Sequence, residues 1–117
     1  MNMENINVIG LGYIGLPTAL MFAKNGVKII GTDINEKLIS SLKEGKLTFE
    51  EKGLDKLFAD ALKNGIEFTT EYQKTDIYII AVPTPYIKES KKLDPRYVIS
   101  AINSVLDVCD KGAILII

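Results

Sequence analysis

The stretch Val8-Ile9-Gly10-Leu11-Gly12-Tyr13-Ile14-Gly15 constrains the fold more than any other part of the chain. It sets three glycines at G-x-G-x-x-G spacing after an apolar run, Ile6 to Ile9, and before a segment of helical period, about Tyr13 to Lys24. The spacing alone is weak, because glycines punctuate many loops. Between a strand and a helix each glycine has its own task. Gly10 permits a tight turn, Gly12 lets the backbone approach a pyrophosphate, and Gly15 lets the helix pack on the strand. The unpaired N–H groups and positive dipole end of that helix then face the phosphates, so Tyr13 and Ile14 act through their amides. The purely structural alternative is a tight strand-to-helix turn.

The same alternation of buried strand and amphipathic helix continues to the end of the chain, which is the mark of an α/β fold. The first helix closes at Asn25-Gly26, with Pro17 near its first turn, where a missing N–H costs little. A second strand, Val27 to Thr32, runs into Asp33, and Asn35 caps a helix with Leu38, Ile39 and Leu42 on one face, ending at Gly45. After a polar link from Lys46 to Lys52, Leu54, Leu57, Phe58, Ala61 and Leu62 form the stripe of another helix, which stops at Asn64-Gly65. A short strand follows at Ile66 to Thr69. Ile77 to Val82 is apolar on both faces, as expected of a central parallel strand covered by helices on each side.

Asp94-Pro95 opens the last helix, with aspartate as its cap and proline at its first position. Val98, Ile102, Val105, Leu106 and Cys109 mark its buried side, and Gly112 ends it. Ala113 to Ile117 begins a fifth strand in the middle of an apolar run. The expectation is one Rossmann-type, doubly wound parallel sheet over residues 1–117, truncated after about its fifth strand as the N-terminal piece of a longer protein. Right-handed crossovers from a central first strand give the spatial order 3-2-1-4-5.

Composition removes several kinds of chemistry and partner. The 117 residues suffice for one domain, and 47% hydrophobic against 25% charged is the profile of a packed globular unit. A net charge of −1 gives no basic field for nucleic acid or anionic lipid. Lys88, Lys91 and Lys92 are offset by Glu89 and Asp94 and read as a solvated loop. No apolar run approaches a membrane span, and the N-terminus lacks a leader profile, so a cytoplasmic protein is expected. There is no histidine, and the single cysteine, Cys109, falls on an apolar stripe as a buried, inert thiol.

The glycine fingerprint calls for an acidic residue about 20 positions on, at the end of the second strand, to bind the adenosine ribose. Asp33 stands there, 18 residues after Gly15. Its carboxylate repels a 2′-phosphate and no arginine follows closely, which favours NAD over NADP; the structural alternative is a helix cap. Val82-Pro83-Thr84-Pro85 follows the fourth strand at the sheet edge where such folds bind ligands, with Thr84 offering a hydroxyl from a rigid loop. Alone, that segment reads better as an ordinary rigid turn.

In order and spacing, "VIGLGYIGLPTA", "GTDIN", "EEKGL", "AVPTP" and "LDPRYV" resemble the NAD-binding domain of the UDP-glucose/GDP-mannose dehydrogenase family across essentially the whole chain. V-P-T-P together with L-P-T-A is most similar to its UDP-N-acetyl-D-mannosamine branch. The resemblance implies NAD contacts at Tyr13, Ile14, Asp33 and Thr84, the last near the nicotinamide half, in addition to the glycines, Val82 and Pro83. It implies two-step, NAD-dependent oxidation of a UDP-sugar C6 hydroxyl for polysaccharide synthesis, through a thioester on a cysteine beyond Ile117, in a homo-oligomer. No catalytic residue and no metal ligand is then expected within the chain.

Two departures bear on details of the resemblance. Lys52 stands where the family has the proline of E-P-G-L, leaving Glu51 only a candidate site residue. Leu38 stands where some UDP-glucose dehydrogenases are basic, which disfavours that alternative. A stand-alone NAD-sensing regulatory domain of about this length would not be expected to share Val82 to Pro85 with the Asp94-Pro95 helix. A fold of this type serving only as an interaction domain would not bind NAD.

Overall fold

The computed structural model describes residues 5–117; the residues that carry most of the leader reading, 1–4, lie outside them. In chain order the elements are β1 (Asn5–Ile9), α1 (Gly15–Lys24), β2 (Lys28–Thr32), α2 (Glu36–Lys43), α3 (Leu54–Lys63), β3 (Glu67–Thr69) and β4 (Ile77–Ile80). A two-stranded hairpin, β5 (Tyr86–Ile87) and β6 (Lys92–Leu93), leads to α4 (Arg96–Val108) and β7 (Ile114–Ile116). The main sheet has the order β3-β2-β1-β4-β7, with every neighbouring pair parallel. This is the order expected from the sequence, with β7 as the fifth strand and β1 at its centre. β4 is an interior strand flanked by β1 and β7.

Alternation along β1 divides the core into two layers. Ile6 and Val8 face α1, α2 and α3, joining Leu16, Leu20, Ile39, Leu42, Phe58 and their neighbours in the larger cluster. Asn7 and Ile9 face the other way, where Ile9, Tyr78 and Ile80 meet Ala101 and Val105 of α4. Each fully buried leucine or isoleucine contributes about 1.5–3 kcal/mol, so both layers are needed to hold the sheet. Asn7, fully buried on the α4 side, accepts a 2.8 Å hydrogen bond from the Thr32 hydroxyl across β1 and β2. That pairing offsets a desolvation cost of about 1–3 kcal/mol for an unmet amide oxygen.

α1 and α3 are fastened at their ends as well as along their sides. Asn64, following α3, donates from its amide to the carbonyls of Ala23 and Lys24 at 3.0 and 2.9 Å. It thereby gives the Lys24 carbonyl a partner and the Ala23 carbonyl, which already accepts from Gly26 N–H at 3.0 Å, a second one.

The structure corrects several local expectations. α1 begins at Gly15, with Tyr13 and Ile14 in the turn before it. Leu62 and Leu106 are 41% and 58% exposed, each at the margin of its helix stripe rather than within it. Cys109 lies just past α4 in extended conformation, half-buried against the α4 cluster. α4 starts at Arg96, one residue later than expected, with Pro95 at the cap position. Asp94 still caps from one residue further back, accepting from the Arg96 backbone N–H at 3.0 Å.

The lysine segment expected to be a solvated loop is instead the β5–β6 hairpin, closed by Asp94 N–H donating to the Pro85 carbonyl at 2.7 Å. Lys91 holds its turn at φ 55°, a left-handed position usually signalled by glycine or asparagine, and neither residue is there to mark it.

Candidate functional site

The C-terminal ends of β1, β2 and β4 open onto a cavity of about 710 Å³, within the range typical of small-molecule and cofactor sites. It lies where strand order reverses about β1, the position at which open α/β sheets bind ligands. Its walls include Gly10, Gly12, Tyr13, Ile14, Asp33, Val82, Pro83 and Thr84, so eight of the nine sequence candidates converge there. Gly15 does not line it.

The three glycines have different structural reasons. Gly10 has φ +94°, and a Cβ there would stand 2.8 Å from the Ala81 carbonyl group and the Val82 nitrogen. A Cβ on Gly15 would overlap the Gly10 carbonyl oxygen, so this glycine allows α1 to begin directly against the turn. A Cβ on Gly12 would meet nothing within 4 Å, and its φ lies outside the left-handed region. Nothing in the protein requires glycine at position 12. The open ground above it is the clearance that an approaching pyrophosphate needs.

Backbone hydrogen bonding singles out the same ground. Gly10 N–H donates to the Thr32 carbonyl at 2.8 Å and Leu11 N–H to Asp33 Oδ2 at 2.9 Å. The N–H groups of Gly12, Tyr13 and Ile14 have no acceptor among the described residues. They stand at the start of a ten-residue helix with no acidic side chain in its first turn. Three free donors and the positive end of a helix are the features that attract an anion.

Asp33 serves two elements at once. Its Oδ2 holds Leu11 of the glycine turn, and its Oδ1 accepts from Asn35 N–H at 2.9 Å, ahead of α2. The helix cap itself is Asn35, whose side chain accepts from Leu38 N–H at 3.1 Å. Asp33 is therefore not the cap of α2. Each carboxylate oxygen keeps a lone pair beyond its backbone bond, and the residue lines the cavity.

Several lining residues escaped the sequence reading. Tyr97, Ser100 and Ala101 present one edge of α4 to the cavity, and their i, i+3, i+4 spacing was a signal available in the sequence. Ile34, Leu38 and Tyr72 wall it around Asp33, and nothing local marks Tyr72. Burial foremost, with the charge of Asp33, raises the Tyr72 pKa above the ordinary phenol value, partly opposed by the nearby Ser104 hydroxyl.

Glu51 lies outside this cavity, on an exposed loop around a second hollow bounded by Leu47 to Gly53 and Asp55. Despite Lys52, the loop turns into α3 through Gly53 at φ +83°. It touches the glycine turn where the Phe49 ring meets that of Tyr13, centroids 4.6 Å apart.

Among the described residues no group of histidine, cysteine and carboxylate side chains is arranged to hold a metal, and no helix is long and apolar enough to cross a membrane. The cavity offers hydrogen-bond donors, one carboxylate and apolar walls, and Cys109 is not part of its lining. Chemically, this arrangement suits an anionic, nucleotide-like molecule.

Comparison with known proteins agrees with this geometry. The chain is 44% identical over 119 residues to a UDP-N-acetyl-D-mannosamine dehydrogenase of Methanococcus vannielii, covering 98% of this chain and 28% of that protein. It superposes on the UDP-N-acetyl-mannosamine dehydrogenase Cap5O of Staphylococcus aureus with TM-score 0.90 and 40% identity, over 95% of this chain and 27% of that one. A UDP-D-ManNAc dehydrogenase from Pyrococcus horikoshii gives 0.87 and 35%, over 95% of this chain and 27% of that one. The chain thus spans little more than a quarter of the length of these relatives. Residues 4–117 match the model of one family's NAD binding domain, and the chain belongs to that family, the UDP-glucose/GDP-mannose dehydrogenases.

Proposed function

We propose that this chain holds NAD for an enzyme that oxidises the C6 hydroxyl of UDP-N-acetyl-D-mannosamine, or a closely related UDP-N-acetylhexosamine, to a carboxylate in two steps. The observation that carries the cofactor reading is the empty ground above Gly12, bounded by three free N–H groups and the Asp33 carboxylate. The pyrophosphate would take the N–H groups of Gly12, Tyr13 and Ile14, and the adenosine ribose would donate to Asp33. Thr84, between two prolines, would stand toward the nicotinamide half. NAD, when bound, supplies the hydride acceptor. These residues orient it and exclude a 2′-phosphate, while proton transfer and covalent chemistry belong to groups elsewhere in the whole protein.

The sugar assignment is supported by the names of the most similar relatives, and membership of the dehydrogenase family argues against a stand-alone sensor. A cytoplasmic homo-oligomer serving polysaccharide synthesis is the setting that fits such a substrate. Calorimetric titration of this chain with NAD and NADP tests the cofactor reading: NAD binds and NADP binds more weakly. Absence of NAD binding, or preference for NADP, overturns it. In the whole protein NADH formation should be fastest with UDP-N-acetylmannosamine, and faster turnover of UDP-glucose would refute the sugar assignment.

A further inference from the structure

We propose that Phe49 is a positioning residue for the glycine turn: its ring, packed on that of Tyr13, fixes the direction in which the Tyr13 and Ile14 amides point. The proposal rests on the dinucleotide reading for what those amides would hold. It assigns work to a residue outside the cavity, since Phe49 borders only the neighbouring hollow.

Tyr13 is the residue of the turn that backbone bonding leaves free. Leu11 is tied to Asp33, the Gly12 carbonyl accepts from Leu16 N–H at 3.1 Å, and the Ile14 carbonyl accepts from the Thr18 N–H and hydroxyl at 3.2 and 2.8 Å. The matching donor for the Tyr13 carbonyl would be Pro17, which has no N–H. Neither backbone group of Tyr13 therefore has a partner among the described residues. Burial does not hold it either, at 76% exposed. Its ring meets that of Phe49 with centroids 4.6 Å apart and planes at 47°, a favourable tilted arrangement. Phe49 is a firm support, half-buried against the larger core cluster just ahead of α3. The pair stands at the starts of α1 and α3, whose far ends Asn64 joins. Fastened at both ends, the start of α1 resists pivoting. Free donors held at a fixed angle bind an anion without the loss of freedom that loose ones incur.

The test begins without ligand. Amide-nitrogen NMR relaxation of the chain should give order parameters near about 0.85 for Tyr13 and Ile14, falling below about 0.6 in Phe49→Leu and staying high in Phe49→Tyr, which keeps the ring. Calorimetric titration should then show Phe49→Leu weakening NAD and ADP-ribose by about three- to tenfold, with Phe49→Tyr within about twofold of wild type. In a Tyr13→Leu background, Phe49→Leu should cost nothing further, because it acts through that ring. A merely structural residue would cost the same in both backgrounds. Should Phe49→Leu fail to fold by circular dichroism, Tyr13→Leu takes its place in the relaxation measurement, with the same loss of order expected. Rigid Tyr13 and Ile14 amides in the folded variant, or a second loss of affinity in the Tyr13→Leu background, overturns the proposal. A wild type that binds neither nucleotide while its amides behave as stated refutes the dinucleotide reading and supports the turn-fixing role of Phe49.

Discussion

Replacing Gly12 by valine should abolish dinucleotide binding and leave the fold intact, whereas alanine at Gly10 or Gly15 should damage the fold. The difference follows from local geometry. At Gly10 a side chain meets the backbone of Ala81 and Val82 at 2.8 Å, and the residue sits at φ +94°. The backbone conformation alone costs roughly 1–2 kcal/mol for a residue with a Cβ, and the overlap adds to it. At Gly15 the overlap is with the Gly10 carbonyl itself.

At Gly12 a Cβ has open space for 4 Å, so the change in stability should stay within about 1 kcal/mol. The valine methyls would occupy the ground over the free N–H groups of Gly12, Tyr13 and Ile14. Displacing a pyrophosphate from there removes roughly two charge-assisted hydrogen bonds of about 1.5–3 kcal/mol each, or about 3–6 kcal/mol together. That corresponds to a loss of about 10² to 10⁴ in affinity. Calorimetry for NAD and thermal melting followed by circular dichroism give the two readouts. Affinity for Gly12→Val within tenfold of wild type would refute the assignment. So would a melting temperature as low as that of Gly10→Ala, because position 12 would then be structural.

Asp33→Ala should weaken NAD more than NADP, removing ribose hydrogen bonds from one and repulsion from the other, each effect about 1–3 kcal/mol; equal losses in paired titrations would contradict it. Asp94 is 3% exposed, and the hydrogen bonds from Arg96, side chain first and backbone second, hold its carboxyl below the usual range. A depressed carboxylate stabilises above its unfolded pKa and loses that contribution as pH falls through the folded value. Asp94→Asn should therefore lower the melting temperature at neutral pH and flatten its acid dependence; an unchanged profile would count against the pairing. Asn64→Ala removes two hydrogen bonds at the end of α1, while the Ala23 carbonyl keeps its bond from Gly26 N–H, and should destabilise the chain by about 1–2 kcal/mol, read by urea denaturation. The chain alone should form no NADH with any UDP-sugar; turnover that disappears in Cys109→Ser would show that this thiol is reactive.

The frame of the main sheet was legible because its signals are local and repeated. Apolar runs bounded by glycine set the strands, and the Asn35 cap and the Gly45 and Gly65 stops closed helices near the expected places. The glycine turn and the place of Asp33 beside it were legible because the close approaches at Gly10 and Gly15 demand glycine at fixed spacing, and the end of β2 falls at a set distance from them. The β5–β6 hairpin was not, since Lys91 takes a left-handed turn without the residue that normally announces it. Leu62 and Leu106 were misassigned because a helical stripe does not reveal where the neighbouring sheet ends. Tyr72 is brought to the cavity by tertiary packing across β1, β4 and α4, and no spacing within its own segment encodes that.

The double engagement of Asp33 has a kinetic consequence. With one oxygen on Leu11 and the other on Asn35, the carboxylate holds the glycine turn and the start of α2 in register without a ligand. A dinucleotide would then meet a glycine turn already in place, so its association rate with this chain should be that of docking onto a rigid patch. Differences in affinity among nucleotides would appear chiefly in how long each remains bound. Exchange of spent for fresh cofactor at this site would accordingly be governed by departure.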